Sequence, residues 1–223
     1  TGQGDKPKVI YVMHIAPAGY LLSELMGVAY EKITASNDYG LANFLGYTNG
    51  QELYAELLRS RGERPTDSLG HSRGTLVQQA AFTILANRRD GEGRGFVNPN
   101  LRVRGFGGAA PATEYTERAA AVIGPGGDVN QVTYTHFDND PVSTSWLAGR
   151  NPGSWTFRDL WQVMSTSNSM HSCGGTGAPG CTQVEAPVPG GPQGTPEGNA
   201  RLVRYVGGKR VLPQDPVKQE VAP

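Results

Sequence analysis

A chain of 223 residues, 37% hydrophobic, 18% charged and 8% aromatic, carries enough apolar mass for one core, and a single globular unit is expected. Its 20 basic and 20 acidic residues cancel to a formal net charge of +0, with no long block of one sign, which argues against nucleic acid or an anionic membrane surface as a partner. No apolar run approaches the roughly 18 residues of a membrane span, so no transmembrane segment is expected.

The chain opens with Thr1-Gly2-Gln3-Gly4-Asp5, without the basic patch and apolar stretch of an export signal, and so reads as a piece of a longer protein. Lys8 to Met13 is β-branched and aromatic, a strand, and runs into the small-residue loop His14 to Gly19. Leu21, Leu22, Leu25, Met26, Ala29 and Ile33 then recur at helical spacing over Tyr20 to Ile33. The stretch 34–47 has no clear period and reads as loop, with a short strand near Phe44 as the alternative. Thr48 and Gln51 form a capping-box pattern, and Leu53, Tyr54, Leu57 and Leu58 mark one face of a helix that Gly62 stops.

After Pro65 comes a short and unusually polar strand candidate, Thr66-Asp67-Ser68-Leu69, followed by Gly70-His71-Ser72-Arg73-Gly74. From Thr75 to Ala86 the apolar set Leu76, Val77, Ala80, Ala81, Ile84 and Leu85 repeats every three to four residues, with Gln78 and Gln79 off the stripe. A polar loop over 87–95 leads to a strand over Leu101 to Phe106, where Arg102 and Arg104 keep one face from full burial. A helix over Thr113 to Val122 and a strand over Gln131 to Phe137 follow. Alternating strands and helices at this spacing give an α/β fold, a compact and mostly parallel sheet with helices on both faces. The expected domain spans 1–182. The remainder, 183–223, turns to Pro, Gly, Glu and Gln with a weak apolar run at Leu202 to Val206, and reads as an extended or partly disordered tail, a linker or docking arm.

The pattern Gly-x-Ser-x-Gly carries chemistry where it joins a strand to a helix. There the serine is held on a sharp turn, and the glycines let strand and helix approach. Gly70 to Gly74 lies at such a junction, so Ser72 is the expected nucleophile and the N–H of Arg73 one oxyanion donor. The bland alternative is a glycine-rich turn with a serine capping the helix. A serine hydroxyl needs a histidine base, and the base needs a carboxylate to fix its tautomer. In α/β-hydrolases these follow in the order Ser, Asp or Glu, His. His14 and His71 precede Ser72, His136 lies in a strand ahead of the best carboxylate, and His171 remains as base. For the acid, Asp140 in Asn139-Asp140-Pro141-Val142 resembles the lipase acid, which stands in an Asp-Pro-Val setting; Asp138 is the alternative. A second oxyanion donor is expected from the loop after the first strand, the N–H of Ile15 or Ala16, because Pro17 has none.

Cys173 and Cys181 enclose a Gly/Ala/Pro-rich loop, and a disulfide fits them best, stabilising by roughly 2–3 kcal/mol in an oxidising compartment. Two unrelated thiols in a cytosolic protein are the alternative. A zinc site from His171 and the two cysteines lacks a fourth ligand at suitable spacing, so neither metal nor other cofactor is expected.

The elbow, the Asn-Asp-Pro-Val run and the late histidine together resemble a lipase-like α/β-hydrolase. The segments Tyr11 to Ala18, Gly70 to Gln78 and Asn168 to Cys173 also resemble C-terminal regions of bacterial filamentous-haemagglutinin-like exoproteins of contact-dependent growth inhibition systems. That resemblance implies a secreted or cell-surface protein, a toxin or effector domain acting in a target cell, with a cognate immunity protein as partner. The expected function is a serine esterase or lipase acting on an ester or lipid through an acyl-enzyme. A non-catalytic secretion or binding module that keeps the hydrolase scaffold is the rival. The polar strand at Asp67-Ser68 departs from the apolar run usual before such an elbow.

Overall fold

The computed structural model describes residues 48–88, 95–145, 149–165 and 202–211. In chain order these form α1 (Asn49–Arg61), β1 (Thr66–His71), α2 (Arg73–Asn87), β2 (Leu101–Phe106) and α3 (Ala112–Ile123). A 3-10 turn (Val129–Gln131), β3 (Val132–Phe137), α4 (Pro141–Thr144), α5 (Phe157–Ser165), β4 (Leu202–Val206) and β5 (Lys209–Val211) complete them.

The sheet is five-stranded in the order β1-β2-β3-β4-β5. β1 pairs parallel with β2, from Thr66 opposite Leu101 to His71 opposite Phe106, and β2 pairs parallel with β3. β4 then runs antiparallel to β3, Leu202 lying opposite Phe137, and β5 antiparallel to β4. The sheet is thus mixed, not mostly parallel. Residues 202–211, expected within an extended tail, supply its last two strands. The physical reason is legible at Gly207 and Gly208. Both have positive φ (56 and 79), the geometry of the two-residue hairpin turn that glycine favours. Tyr205 anchors the hairpin, buried with its ring edge-on to Tyr134 at 6.2 Å between centroids.

The capping box of α1 forms as its sequence predicts, Thr48 N–H donating to Gln51 Oε1 at 2.8 Å and Gln51 N–H to Thr48 Oγ1 at 3.3 Å. Of the expected face Leu58 is buried and Tyr54 packs against the core, but Leu53 is exposed, and Gln51 and Ala55 join the buried stripe. α2 departs further from an amphipathic reading: every residue from Thr75 to Leu85 is buried, Gln78 and Gln79 included. This helix is enclosed. Arg88 at its end pairs with Glu52 and Glu56 of α1, Phe82 meets Tyr115 of α3 edge-on, and Gln78 reaches β1. Both glutamines donate side-chain hydrogen bonds within that enclosure, Gln78 Nε2 to Ser68 Oγ at 2.6 Å and Gln79 Nε2 to Glu114 Oε2 at 3.3 Å.

Among the described residues α1, α2 and α3 share one face of the sheet, since Tyr54, Gln78 and Tyr115 join in one buried chain with Ser68 of β1. On the other face Asp67, Leu69, His71, Arg102 and Arg104 are exposed. The arginines behave as their sequence pattern predicts; the strand expected over Lys8 to Met13 and the helix expected over Tyr20 to Ile33 lie outside the described residues.

Candidate active site

Ser72 lies between the end of β1 and the first residue of α2, with φ 53 and ψ −128. A positive φ is rare for an L-residue other than glycine, and such strain costs on the order of 1–3 kcal/mol. Hydrogen bonds on both sides hold it there. Ser72 N–H donates to Phe106 O at 3.2 Å, carrying the ladder one residue past the strand. Its carbonyl accepts from the N–H groups of Thr75 (3.0 Å) and Ala109 (3.2 Å), and from Thr75 Oγ1 (2.8 Å). The side chain makes no capping bond to α2 and is partly exposed, so the capping-serine alternative loses its basis. Arg73 opens α2, and its N–H belongs to the end of the helix where the dipole is positive.

The two motif glycines differ in their surroundings. A Cβ on buried Gly70 would overlap Gln78 Oε1, whereas one on Gly74 would meet nothing within 4 Å. Gly70 is therefore needed for close approach of strand and helix, and Gly74 is not. The polarity of β1 has the same origin. Asp67 faces solvent, and Ser68 is buried but bonded to Tyr54 Oη and Gln78 Nε2, each at 2.6 Å. Tyr115 Oη completes the chain by donating to Gln78 Oε1 at 2.8 Å. Burial raises the pKa of the Tyr54 and Tyr115 phenols, which keeps their protons in place.

Asp138 and Asp140 follow β3 and so leave the sheet at the same edge as Ser72, the carboxyl edge of the parallel strands. Asp140 is fully buried and caps α4. Its Oδ1 accepts from Val142 N–H at 3.0 Å and its Oδ2 from Ser143 Oγ at 2.7 Å. Asp138 is partly exposed, its carbonyl accepting from Ser154 N–H at 2.8 Å. Between them, Asn139 donates to Asp159 Oδ1 at 3.2 Å. Asp159 Oδ2 also accepts from Thr156 N–H (2.7 Å) and Thr156 Oγ1 (2.6 Å) at the start of α5, tying that helix to the acid-bearing turn.

His136 is in β3 as expected and is fully buried, stacked on Tyr205 at 6.2 Å and 22°. Its Nδ1 lies 2.9 Å from Phe137 O and is the protonated nitrogen, since a carbonyl only accepts; Nε2 is without a partner. Burial lowers its pKa, outweighing the Phe137 carbonyl and the carboxylates of Asp140 and Asp138, which pull it upward. His136 is thus a neutral core residue.

The other expected participants, His171, Ile15, Ala16, Cys173 and Cys181, lie outside the described residues. Among the described residues no group of three or more His, Cys, Asp and Glu is placed to hold a metal ion, and no helix is long and apolar enough to cross a membrane. Sequence reasoning missed Thr75, Tyr134, Ser143 and Asn151, whose polar atoms tie together the loops at this edge. Only a buried position distinguishes them from ordinary polar residues. No protein family, curated protein or solved structure matches the chain.

Proposed function

We propose that this chain is a serine hydrolase of the esterase or lipase type, working through an acyl-enzyme on the α/β-hydrolase plan. The observation that carries the reading is the backbone of Ser72. It is a strained, non-glycine residue at a strand-to-helix turn, with its side chain partly exposed and not used as a cap. Ser72 attacks the carbonyl, the N–H of Arg73 stabilises the oxyanion, and His171 shuttles the proton with Asp140 orienting it. A second oxyanion donor comes from Ile15 or Ala16. The buried carboxylate of Asp140, already accepting two hydrogen bonds, supports its assignment over Asp138. An exported toxin or effector role, with an immunity protein as partner and a Cys173–Cys181 disulfide beside the base, rests on the sequence alone.

A fluorophosphonate probe tests the reading. One adduct is expected on the wild type and none on Ser72→Ala, and Asp140→Asn should slow labelling by about a thousandfold or more while Asp138→Asn does not. A folded wild type that takes no probe and hydrolyses no ester or lipid in a broad panel would favour the non-catalytic module.

A further inference from the structure

Apart from Ser72, the only non-glycine residue with positive φ among the described residues is Arg150 (φ 52). Such a conformation persists only where its surroundings over-determine it. Here they do, because residues 149–151 strap across α4. Gly149 N–H donates to Val142 O (3.0 Å), Arg150 N–H to Ser145 O (3.0 Å) and Asn151 N–H to Ser143 O (3.1 Å). Gly149 sits so close that a Cβ would overlap Ser143 O.

The strap delivers the Asn151 side chain into the interior. Its Oδ1 accepts from Ala112 N–H at 2.7 Å. Its Nδ2 donates toward Ser143 O (2.9 Å), Ala110 O (3.2 Å) and Tyr134 Oη (3.3 Å), two protons shared among three oxygens. Tyr134 Oη in turn lies 2.8 Å from Gly108 O and 2.7 Å from Ala110 O. From this point polar contacts run both ways. Toward the acid, Ser143 Oγ donates to Asp140 Oδ2. Toward the nucleophile, Ala110 N–H donates to Thr75 Oγ1 (3.1 Å), which donates to the Ser72 carbonyl (2.8 Å).

We infer that Asn151 is a positioning residue: acting through Ser143 on one side and the 108–112 loop on the other, it fixes the Asp140 turn relative to the Ser72 elbow. The inference rests on the serine-hydrolase reading, because only there does that relative placement matter. Asn151 touches neither Ser72 nor Asp140 directly, and its effect on rate must pass through them.

The test is a double-mutant cycle on the intact chain, with hydrolysis of p-nitrophenyl butyrate and the fluorophosphonate labelling rate as readouts. Misplacement of about 1 Å can cost about a hundredfold. Asn151→Ala is therefore expected to lower kcat about 100-fold, and Ser143→Ala about tenfold, with KM within about twofold of the wild type. Ser143→Thr, which restores the hydroxyl, should recover most of the loss. In an Asp140→Asn background Ser143→Ala should slow labelling by no more than about twofold, because it acts only through Asp140, and Asn151→Ala should cost about tenfold or less, because only its route through the 108–112 loop to the Ser72 elbow is left. If Asn151→Ala does not fold, Ser143→Ala carries the test alone. Unchanged kcat, or the same fold-loss in both backgrounds, overturns the positioning role and leaves the hydrolase reading intact. A folded wild type that neither hydrolyses nor labels overturns both.

Discussion

Replacing Ser72 by alanine and by glycine separates the strain of the elbow from its chemistry. Both variants lose the same hydroxyl, so the difference between them reports on the backbone alone. At an ordinary helical site alanine is favoured over glycine by about 0.5–1 kcal/mol, because glycine loses more freedom on folding. At φ 53 and ψ −128 an alanine retains the strain of about 1–3 kcal/mol, and a glycine is relieved of it. The sign should therefore invert, Ser72→Gly exceeding Ser72→Ala in stability by about 0.5–2 kcal/mol. In a chain of this length 1 kcal/mol moves the melting temperature by about 2–4 °C, and urea unfolding followed by tryptophan fluorescence resolves the same difference. Glu117, exposed on α3, supplies the control: there Glu117→Ala should be more stable than Glu117→Gly by about 1 kcal/mol. If alanine is as stable as glycine at position 72, the elbow is not strained and the main support for a nucleophile there is gone.

The motif glycines should respond oppositely. Gly70→Ala forces Gln78 out of two buried hydrogen bonds and should cost about 2–5 kcal/mol, while Gly74→Ala, with open space around it in a helix, should be neutral or stabilising by up to about 1 kcal/mol. Equal costs in urea melts would mean that the helix does not approach β1 as described. His136 should make the fold acid-sensitive. Burial lowers its pKa below the unfolded value of about 6.5, so its neutral form contributes full stability above that pH. The contribution is lost as pH falls through the window down to the folded-state pKa, at no more than about 1.4 kcal/mol per pH unit. His136→Phe should flatten that fall between pH 7.5 and 5.5, and parallel stability curves for the two proteins would refute the assignment.

The parts of this fold legible in the sequence are those fixed by local chemistry. Thr48 and Gln51 reciprocally cap α1, Gly62 ends it, and Leu101 to Gly105 alternates buried and exposed as its two arginines require. What escaped was set by long-range packing. The enclosure of α2 by α1, α3 and β1 overrides its apparent stripe and makes Gln78 an interior residue. It also explains Ser68, whose polarity in a strand makes sense only when Tyr54 and Gln78 come from two other elements to bond it. The β4–β5 hairpin was hidden differently. Its Gly207-Gly208 turn is a local signal, but the proline- and glycine-rich composition around it reads as a tail. At the candidate site Ser72 and the Asp138–Asp140 turn were legible from motif and order. Asn151 was not, because an asparagine in a glycine-flanked loop signals a turn long before it signals a buried amide.

The sheet's change of direction decides which segments meet at the candidate site. In β1, β2 and β3 the chain leaves at the carboxyl edge, and pairing persists just beyond the strands, Ser72 N–H reaching Phe106 O and Gly107 N–H reaching Thr135 O at 2.8 Å. Ser72, the proposed nucleophile, and both candidate acids are thereby brought to one edge. Because β4 is antiparallel to β3, it begins at that edge, with Leu202 opposite Phe137. The start of α5 is bound there too, through Asp159 and Asn139. The first turn of α5 and the first residue of β4 are therefore both held at the edge that carries Asp140. A wholly parallel sheet would have required the chain to return at the opposite edge. The antiparallel step, unforeseen from the sequence, thus puts the start of β4, and not its end, at the edge that carries Ser72 and Asp140.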